Sequence, residues 1–368
     1  METQYDLTEG TYLHIVLEGS PYQAGILLAK TLHNVERLSF CFQPFDFDAE
    51  KFGYADLSQM QKALEQYCPG FNEEIQGFAD ELALPIEKVF HYSANSQAVR
   101  ACSHFAVHPS NTKEGKPLLG RSYEMSPNDE DRILITSRMN GRAKSIGFST
   151  IIFGRLDGIN EHGLSATMSA SIAPPQREKS KGFDFWVFMR AVLDTCQNVA
   201  EALDLLREFP LNAYTNFLLL DASGDGALIE AAGSMRAIRR FDGEIPPYLI
   251  AVQHYSLPEM ATHNLDRDLN FSAPRYNGIK QRLEADKPFV TVDSMKGILS
   301  SEAPNGSFCP YYKTYGLGTL WSEVFHPAER TVELIFGSVT HNPWYTFGMM
   351  DGVPGVREYI GIFASKGM

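Results

Sequence analysis

One stretch of the chain brings together residue types that could make a reactive thiolate. Cys102 lies in residues 100–107, where apolar residues alternate with small or polar ones as in a half-buried strand. Residues 111–125 follow as a predicted turn and a returning strand. Such a hairpin would bring Cys102 alongside Arg121 and Glu124. A cation and an acid close to a thiol are the surroundings that favour a thiolate, which is a strong nucleophile near neutral pH.

Several short motifs, in order along the chain, resemble one family of hydrolases. The hairpin reads as a small residue, Cys, a short strand and then Gly-Arg-x-Tyr-acid. This pattern resembles the N-terminal-nucleophile cysteine hydrolases, and within them the branch of acyl-coenzyme A:isopenicillin N acyltransferase. The elements at residues 19–25 and 69–77 resemble the same branch. The Asp-Gly-Ile-Asn-Glu-His-Gly-Leu motif at residues 157–164 is similar to one in the more distant choloylglycine hydrolases, relatives of penicillin V acylases and acid ceramidases.

The resemblance implies that the protein cuts its own Ala101–Cys102 bond. The thiol would attack the Ala101 carbonyl, and water would release the preceding segment. Cys102 would then carry a free α-amino group, whose ordinary pKa of about 7.7–8.0 suits a base for its own thiol. Residues 1–101 would be a mostly helical pro-segment that stays bound, and residues 102–368 the catalytic domain. From the residues alone, a separate helical domain is the alternative for residues 1–101.

Four further residues are candidates for the site through the same resemblance. Arg121 matches an arginine that holds the nucleophile, and Glu124 stands where relatives usually carry Asp. Asn216 matches an oxyanion donor, and Arg275 matches a late arginine of these families. Three of them have an ordinary alternative: a sheet-edge salt bridge for Arg121, an Asn that starts a strand for Asn216, and a solvated residue in a first helical turn for Arg275. Taken alone, Cys102 could equally be a buried structural thiol.

Composition and charge narrow the class of protein further. The chain has 368 residues, 44% of them hydrophobic, and a formal net charge of −13 without any Lys/Arg-rich run. This acidic balance argues against a nucleic-acid partner, which requires basic patches. The ten histidines form no metal-ligand spacing, and there is no Walker A or Rossmann glycine pattern. We therefore expect no metal and no cofactor.

The termini and cysteines lead to an expected location. The N-terminus has no basic region followed by an apolar one, and no apolar run approaches the length of a membrane span. Five cysteines without CxxC spacing suit a reducing compartment better than a disulfide scaffold, and Cys309 is expected to be structural. These features favour a cytoplasmic protein that does not associate with membranes. The sequence leaves a homo-oligomer open.

Periodicity predicts helices before the strand-rich parts of the chain and between them. A helix should begin at Ser20 and Pro21, with further helices over residues 57–67, 71–82 and 182–207 and another beginning near Pro274. Strands are expected at residues 12–17, 133–139, 146–153, 164–171, 217–220, 227–232, 317–324 and 331–336, with a turn at residues 221–226 that makes a hairpin of the fifth and sixth. This pattern supports an α+β fold. The resemblance adds a four-layer αββα sandwich.

The function that these expectations favour is a self-processing amidohydrolase. It would cleave a linear, non-peptide amide bond of an N-acyl small molecule through a Cys102 thioester. The first alternative is an acyltransferase of the same architecture that moves an acyl group from acyl-CoA to an amine. The second alternative is an inactive binding protein, for which the Glu124 departure is the only support.

Overall fold

Two β-sheets, stacked face to face between layers of helices, organise the chain. The computed structural model describes residues 5–33, 54–93, 101–171, 182–241, 243, 246–352 and 354–366. The strands are β1 Tyr5–Gly19, β2 Ala101–Val107, β3 Leu118–Met125, β4 Ile133–Met139, β5 Ser145–Thr150, β6 Gly154–Arg155, β7 Asp157–Asn160, β8 Ser165–Ala170, β9 Ala213–Leu220, β10 Gly226–Gly233, β11 Met235–Arg240, β12 Tyr248–Ala251, β13 Gly318–His326, β14 Thr331–Phe336, β15 Tyr345–Gly348 and β16 Gly355–Lys366. The helices are α1 Pro21–Leu32, α2 Leu57–Tyr67, α3 Phe71–Glu81, α4 Ile86–Ser93, α5 Phe185–Thr195, α6 Val199–Glu208, α7 Asp266–Ala285, α8 Val292–Ser300 and α9 Tyr312–Tyr315.

The six-stranded sheet contains the predicted hairpin. Its strands follow the order β12-β2-β3-β13-β14-β15. β2 and β3 are antiparallel, with Cys102 opposite Tyr123 and His104 opposite Arg121. The connection between them spans residues 108–117 and contains the turn that the sequence predicted at residues 111–115. The hairpin prediction is therefore confirmed.

The ten-stranded sheet joins the first and last strands of the chain. Its order is β11-β10-β9-β8-β7-β5-β4-β1-β16, and the short β6 pairs with β5. β1 runs parallel to β4 on one side and antiparallel to β16 on the other. It is also much longer than the strand predicted over residues 12–17. Residues 5–16 of β1 pair with β16, the last strand of the chain. Local sequence cannot reveal a contact between segments so far apart.

Helices cover the outer face of each sheet and complete four layers. α7 and α8 pack on the six-stranded sheet through a buried cluster that includes Ile279, Leu283 and Met295. α1 and α5 pack against strands of the ten-stranded sheet. The predicted α+β, αββα arrangement is confirmed. In the described ranges, no helix is long and apolar enough to span a membrane.

The segment ahead of Cys102 shares the core of the rest of the chain. α1 begins with the predicted capping box, in which the Ser20 hydroxyl accepts from the Gln23 amide and the Gln23 side chain accepts from the Ser20 amide. Phe71 and Phe78 of α3 pack edge-on against Phe153, beyond the hairpin. The predicted boundary at residue 101 coincides with the start of β2, and cleavage at that point stays a prediction.

Two element boundaries differ from the prediction for local reasons. The helix expected to begin near Pro274 begins at Asp266, so that Pro274 lies inside it. Proline is tolerated at a helix start, and reading it as a start was wrong here. The strand predicted over residues 146–153 ends at Thr150, because Ile151 and Ile152 adopt φ values of 54° and 62°. Backbone in that left-handed region cannot continue a strand.

Candidate active site

Cys102 lies on the inner face of the six-stranded sheet, between the two sheets. Residues that pair across antiparallel strands share a face, and successive residues alternate. Cys102, Arg121 and Tyr123 therefore face the ten-stranded sheet. The Cys102 side chain is fully buried, and Arg121 Nη2 lies 3.9 Å from its sulfur. The predicted approach of a guanidinium group to the thiol is present.

Arg121 is held by the opposite sheet. Its Nε lies 2.8 Å from Asp157 Oδ2 of β7, and its Nη1 donates to the Met168 carbonyl of β8. Burial alone lowers the pKa of Arg121, but Cys102, Asp157 and the nearby Glu323 together raise it above its ordinary value. A permanently charged group thus faces the sulfur from a fixed position.

Glu124 and Arg275 meet on the other face of the same sheet. Arg275 Nη1 donates to Glu124 Oε2 at 2.8 Å, and its Nη2 donates to the Cys102 carbonyl at 3.2 Å. Ser122 also donates to Glu124. Burial raises the pKa of Glu124, although Arg275 and Ser122 oppose the shift. The predicted hairpin thus brings Glu124 to the Cys102 backbone, with Arg275 as the link, rather than to the sulfur.

Asn216 directs its amide to backbone carbonyl groups. It lies on β9, and its Nδ2 donates to the Val252 carbonyl at 2.6 Å and to the His254 carbonyl at 3.2 Å. These two acceptors fix the amide orientation, so that Oδ1 is left buried without a partner among the described residues. In this structure Asn216 holds residues 252–254 in place. Its predicted role as an oxyanion donor stays a prediction.

Gln253 offers the donor that Asn216 does not. β12 pairs with the antiparallel β2 as far as Ala251, which lies opposite His104. Gln253 comes two residues after Ala251, and Cys102 comes two residues before His104. Gln253 Oε1 accepts from Arg275 Nη2, which leaves Nε2 buried with no acceptor in the described parts of the chain. A buried amide N–H without an acceptor is costly unless something fills the place. Gln253 is linked to the Cys102 backbone through Arg275, which donates both to Gln253 Oε1 and to the Cys102 carbonyl.

Sequence reasoning missed Asp157 and Gln253. Asp157 begins the motif at residues 157–164 and is not among the predicted site residues, yet its carboxylate is buried against Arg121. An ionisable residue at the start of an apolar strand was the available signal. Gln253 follows the apolar strand β12 and is not distinguished by any local pattern. Among the described residues, no group of three or more His, Cys, Asp or Glu side chains could hold a metal ion.

Comparisons with known proteins give the family of this chain. The family model described as "Acyl-coenzyme A:6-aminopenicillanic acid acyl-transferase" matches residues 110–340. The match contains Arg121, Glu124, Asn216 and Arg275, while Cys102 precedes it. An uncharacterized protein of Archaeoglobus fulgidus is 22% identical over 311 residues, which cover 69% of this chain and 52% of that protein. The chain thus spans about half the length of this curated relative.

Three solved structures are similar in their backbone. Penicillin V acylase from Agrobacterium tumefaciens is 17% identical, with a TM-score of 0.46, and covers 70% of this chain and 90% of its own. A mutant of conjugated bile acid hydrolase from Clostridium perfringens is 12% identical, with a TM-score of 0.47 over 70% and 96% of the two chains. The Caenorhabditis elegans ortholog of N-acylethanolamine-hydrolyzing acid amidase is 15% identical, with a TM-score of 0.46 over 62% and 93%.

Proposed function

We propose a specific reaction for this chain, which belongs to the acyl-coenzyme A:6-aminopenicillanic acid acyl-transferase family and is an enzyme of the acylase and acyltransferase class. The reaction is hydrolysis of a linear amide bond in an N-acyl small molecule. Cys102 is the nucleophile, exposed as an N-terminal residue by self-cleavage after Ala101. The observation that carries the proposal is the Arg121 guanidinium group 3.9 Å from the Cys102 sulfur, inside the buried space between the sheets.

Self-cleavage would begin with attack of the Cys102 sulfur on the Ala101 carbonyl. The Ala101–Cys102 amide bond breaks as a thioester forms, and the Cys102 nitrogen takes up a proton to become an amine. Water then hydrolyses the thioester and frees the thiol. Ala101 pairs with Glu124 across β2 and β3, so a carboxyl group lies beside the peptide to be cut. The small Ala101 side chain limits crowding during this shift.

In turnover the freed α-amino group would take the thiol proton. The sulfur attacks the substrate carbonyl, and the leaving amine takes a proton from the α-ammonium group as the C–N bond breaks. Glu124 would hold the α-amino group, and Arg275 would hold Glu124 and the Cys102 carbonyl in position. Water then releases the acyl group as a carboxylic acid.

The tetrahedral intermediates would need hydrogen-bond donors for their oxyanion. Gln253 Nε2 supports this role best, because it is buried, lacks an acceptor in the described residues and is held by Arg275. Preorganised donors of this kind typically contribute about 10²–10³ in rate. Asn216 would act indirectly, by fixing the backbone on either side of Gln253.

Acyl transfer from acyl-CoA to an amine is the second candidate. The description of the matching family favours it. The thioester on Cys102 would be the same in both reactions, and only the acceptor would differ: water in one, an amine in the other. The inactive binding protein is not favoured, since the guanidinium group and the thiol are in contact.

Intact mass spectrometry of freshly purified protein tests the first step. Wild type should give two species, residues 1–101 and residues 102–368, with Cys102 as a new N-terminus. Cys102→Ala should remain a single chain of 41.1 kDa. Cys196→Ala, which removes another buried thiol, should be cut like wild type. Wild type that stays uncut, like Cys102→Ala, would contradict self-processing.

Product analysis of the processed enzyme tests the reaction itself. A panel of N-acyl amides should yield free carboxylic acid and amine in water. The same panel of amines should be incubated with acyl-CoA. Release of free CoA together with a new amide would show acyl transfer and would favour the second candidate instead.

A further inference from the structure

A second buried carboxyl group, that of Glu323, faces Arg121 beside the nucleophile. Glu323 of β13 pairs with Arg121 of β3, and both side chains are fully buried. Glu323 Oε2 lies 3.9 Å from Arg121 Nε, whereas Asp157 Oδ2 lies 2.8 Å from the same nitrogen. One guanidinium group thus serves two carboxyl groups and the Cys102 sulfur.

Asp157 accepts more hydrogen bonds than Glu323 does. Asp157 accepts from the Phe148 amide at 2.8 Å and from Trp321 Nε1 at 3.3 Å, besides its contact with Arg121. Neither oxygen of Glu323 has a donor at hydrogen-bond distance and angle in the described part of the chain, although the Trp321 N–H that Asp157 accepts also lies close enough to oppose the rise in the pKa of Glu323. A buried carboxylate without donors is strongly disfavoured, whereas a protonated carboxyl group can itself donate to a neighbouring carboxylate. The proton therefore belongs on Glu323, and Asp157 carries the negative charge.

The other groups around Arg121 do not change the assignment of the proton to Glu323. His104, opposite Arg121, contacts Thr167 and Ser169, and burial together with Arg121 lowers its pKa well below the usual value, so it is neutral. The Tyr123 ring lies 5.4 Å from the Arg121 guanidinium carbon. Burial and the charge of Asp157 raise the pKa of Glu323 well above its usual value, although Arg121 opposes the shift.

We propose that Glu323 is a proton-carrying positioning residue, which donates to Asp157 and leaves the positive charge of Arg121 available to the Cys102 thiolate. This inference rests on the proposed role of Cys102 as nucleophile. With Glu323 neutral, Arg121 and Asp157 balance each other, and the ionised sulfur adds one negative charge. With Glu323 ionised, the same guanidinium group would face three negative charges. The thiol pKa would rise, and the thiolate would be disfavoured.

The protonation state can be measured without any activity. Infrared difference spectra between wild type and Glu323→Gln at pH 7 should contain the carbonyl band of a protonated carboxylic acid. Glu358→Gln, an exposed acid of β16, should lack that band in the same comparison. Asp157→Asn provides a second measurement, because removal of that charge lets Glu323 ionise and pair with Arg121. In that variant the band should disappear.

The effect on the nucleophile is read from the rate of Cys102 alkylation by iodoacetamide as a function of pH. Glu323→Gln should match wild type within about threefold at neutral pH and exceed it increasingly at higher pH, since each unit of thiol pKa changes the thiolate fraction about tenfold. A carboxylate band for Glu323 at pH 7 would overturn the protonation. A protonated band with identical alkylation profiles would overturn the link to the thiol. If the infrared band and the alkylation profiles are as expected but the wild type hydrolyses no amide, the proposed function is contradicted and the role of Glu323 is not.

Discussion

At the residue scale, contact with an arginine does not by itself distinguish Cys102 from the other thiols. Cys309 Sγ lies 3.6 Å from Arg275 Nη1, yet burial and the charge of Glu124 raise its pKa to about 12. Burial also raises the pKa of Cys68 to about 12 and that of Cys196 to about 11. Burial is the largest cause for all three thiols, and at Cys309 the charge of the acid that shares the arginine adds to it. This is why the proton on Glu323 matters for Cys102.

We expect substitution of the two amides near the site to have different effects, one on catalysis and one on stability. Gln253→Ala should lower kcat about 10²–10³-fold with little change in KM, because an oxyanion donor acts in the transition state. Asn216→Ala should mainly lower the melting temperature, since two buried carbonyls lose their donor. Steady-state kinetics and thermal unfolding of both variants separate the roles. An active Gln253→Ala beside an inactive but stable Asn216→Ala would restore the role that the sequence predicted for Asn216.

Arg275 should influence the pH profile of kcat/KM through its effect on the pKa of Glu124. Burial raises the pKa of Glu124, and the Arg275 charge limits that rise. If ionised Glu124 holds the α-amino group, activity is lost as the pH falls through the pKa of Glu124. Arg275→Gln should raise that pKa further and move the acid limb to higher pH. Arg275→Lys, which keeps a charge, is the matched control, and an unmoved limb in Arg275→Gln would exclude this role for Glu124.

At the scale of elements, local patterns located most of the fold but not the contacts between distant segments. The hairpin, the capped helices α1 and α6, and β14 follow from alternation, capping residues and turns within a few positions. The length of β1 depends on pairing with β16 at the far end of the chain. The roles of Asp157 and Gln253 depend on elements that local sequence does not bring together. Sequence could therefore supply the hairpin and the approach of Arg121 to Cys102, but not the acids on other elements that share this arginine.

Helix α3 is fixed to residues on the far side of Cys102 in the chain by a buried charge. Glu74 Oε2 accepts from Arg142 Nη1 at 3.0 Å and from Arg190 Nη2 at 2.5 Å, and Asp194 Oδ2 accepts from Arg190 Nε at 2.7 Å. Despite burial, the arginines lower the pKa of both Glu74 and Asp194. Their contribution to stability is therefore present above the ordinary carboxyl pKa of about 4 and is lost as the pH falls further.

Removal of the Glu74 charge should destabilise the protein much more than removal of its exposed neighbour. Glu74→Gln leaves the two arginines with one fewer buried anion, and breaking such a pair typically costs about 3–5 kcal/mol. Glu73→Gln, in the same turn but exposed, should change the free energy of unfolding little. Urea denaturation at pH 7 measures both. Equal stability of the two variants would mean that the buried ion pairs contribute nothing net.

At the scale of the whole molecule, the proposed cut at residue 101 would not divide the structure into separable parts. β1 lies between β4 and β16 in the ten-stranded sheet, and among the described residues of that sheet β16 has no other strand beside it. Loss of residues 1–101 would leave the last strand detached and expose an unpaired edge of β4. It would also open the core around Phe153 and leave Arg142 and Arg190 without Glu74.

The two pieces of the processed protein should therefore remain one particle. Native mass spectrometry should give the mass of the intact chain, and denaturation should be needed to release residues 1–101 and 102–368. Cys102→Ala, which stays uncut, should unfold at nearly the same temperature, because cleavage of one peptide bond leaves the sheet and the ion pairs in place. A folded, active piece containing only residues 102–368 would contradict this argument. It would mean that β4 and β16 find other partners once β1 is gone.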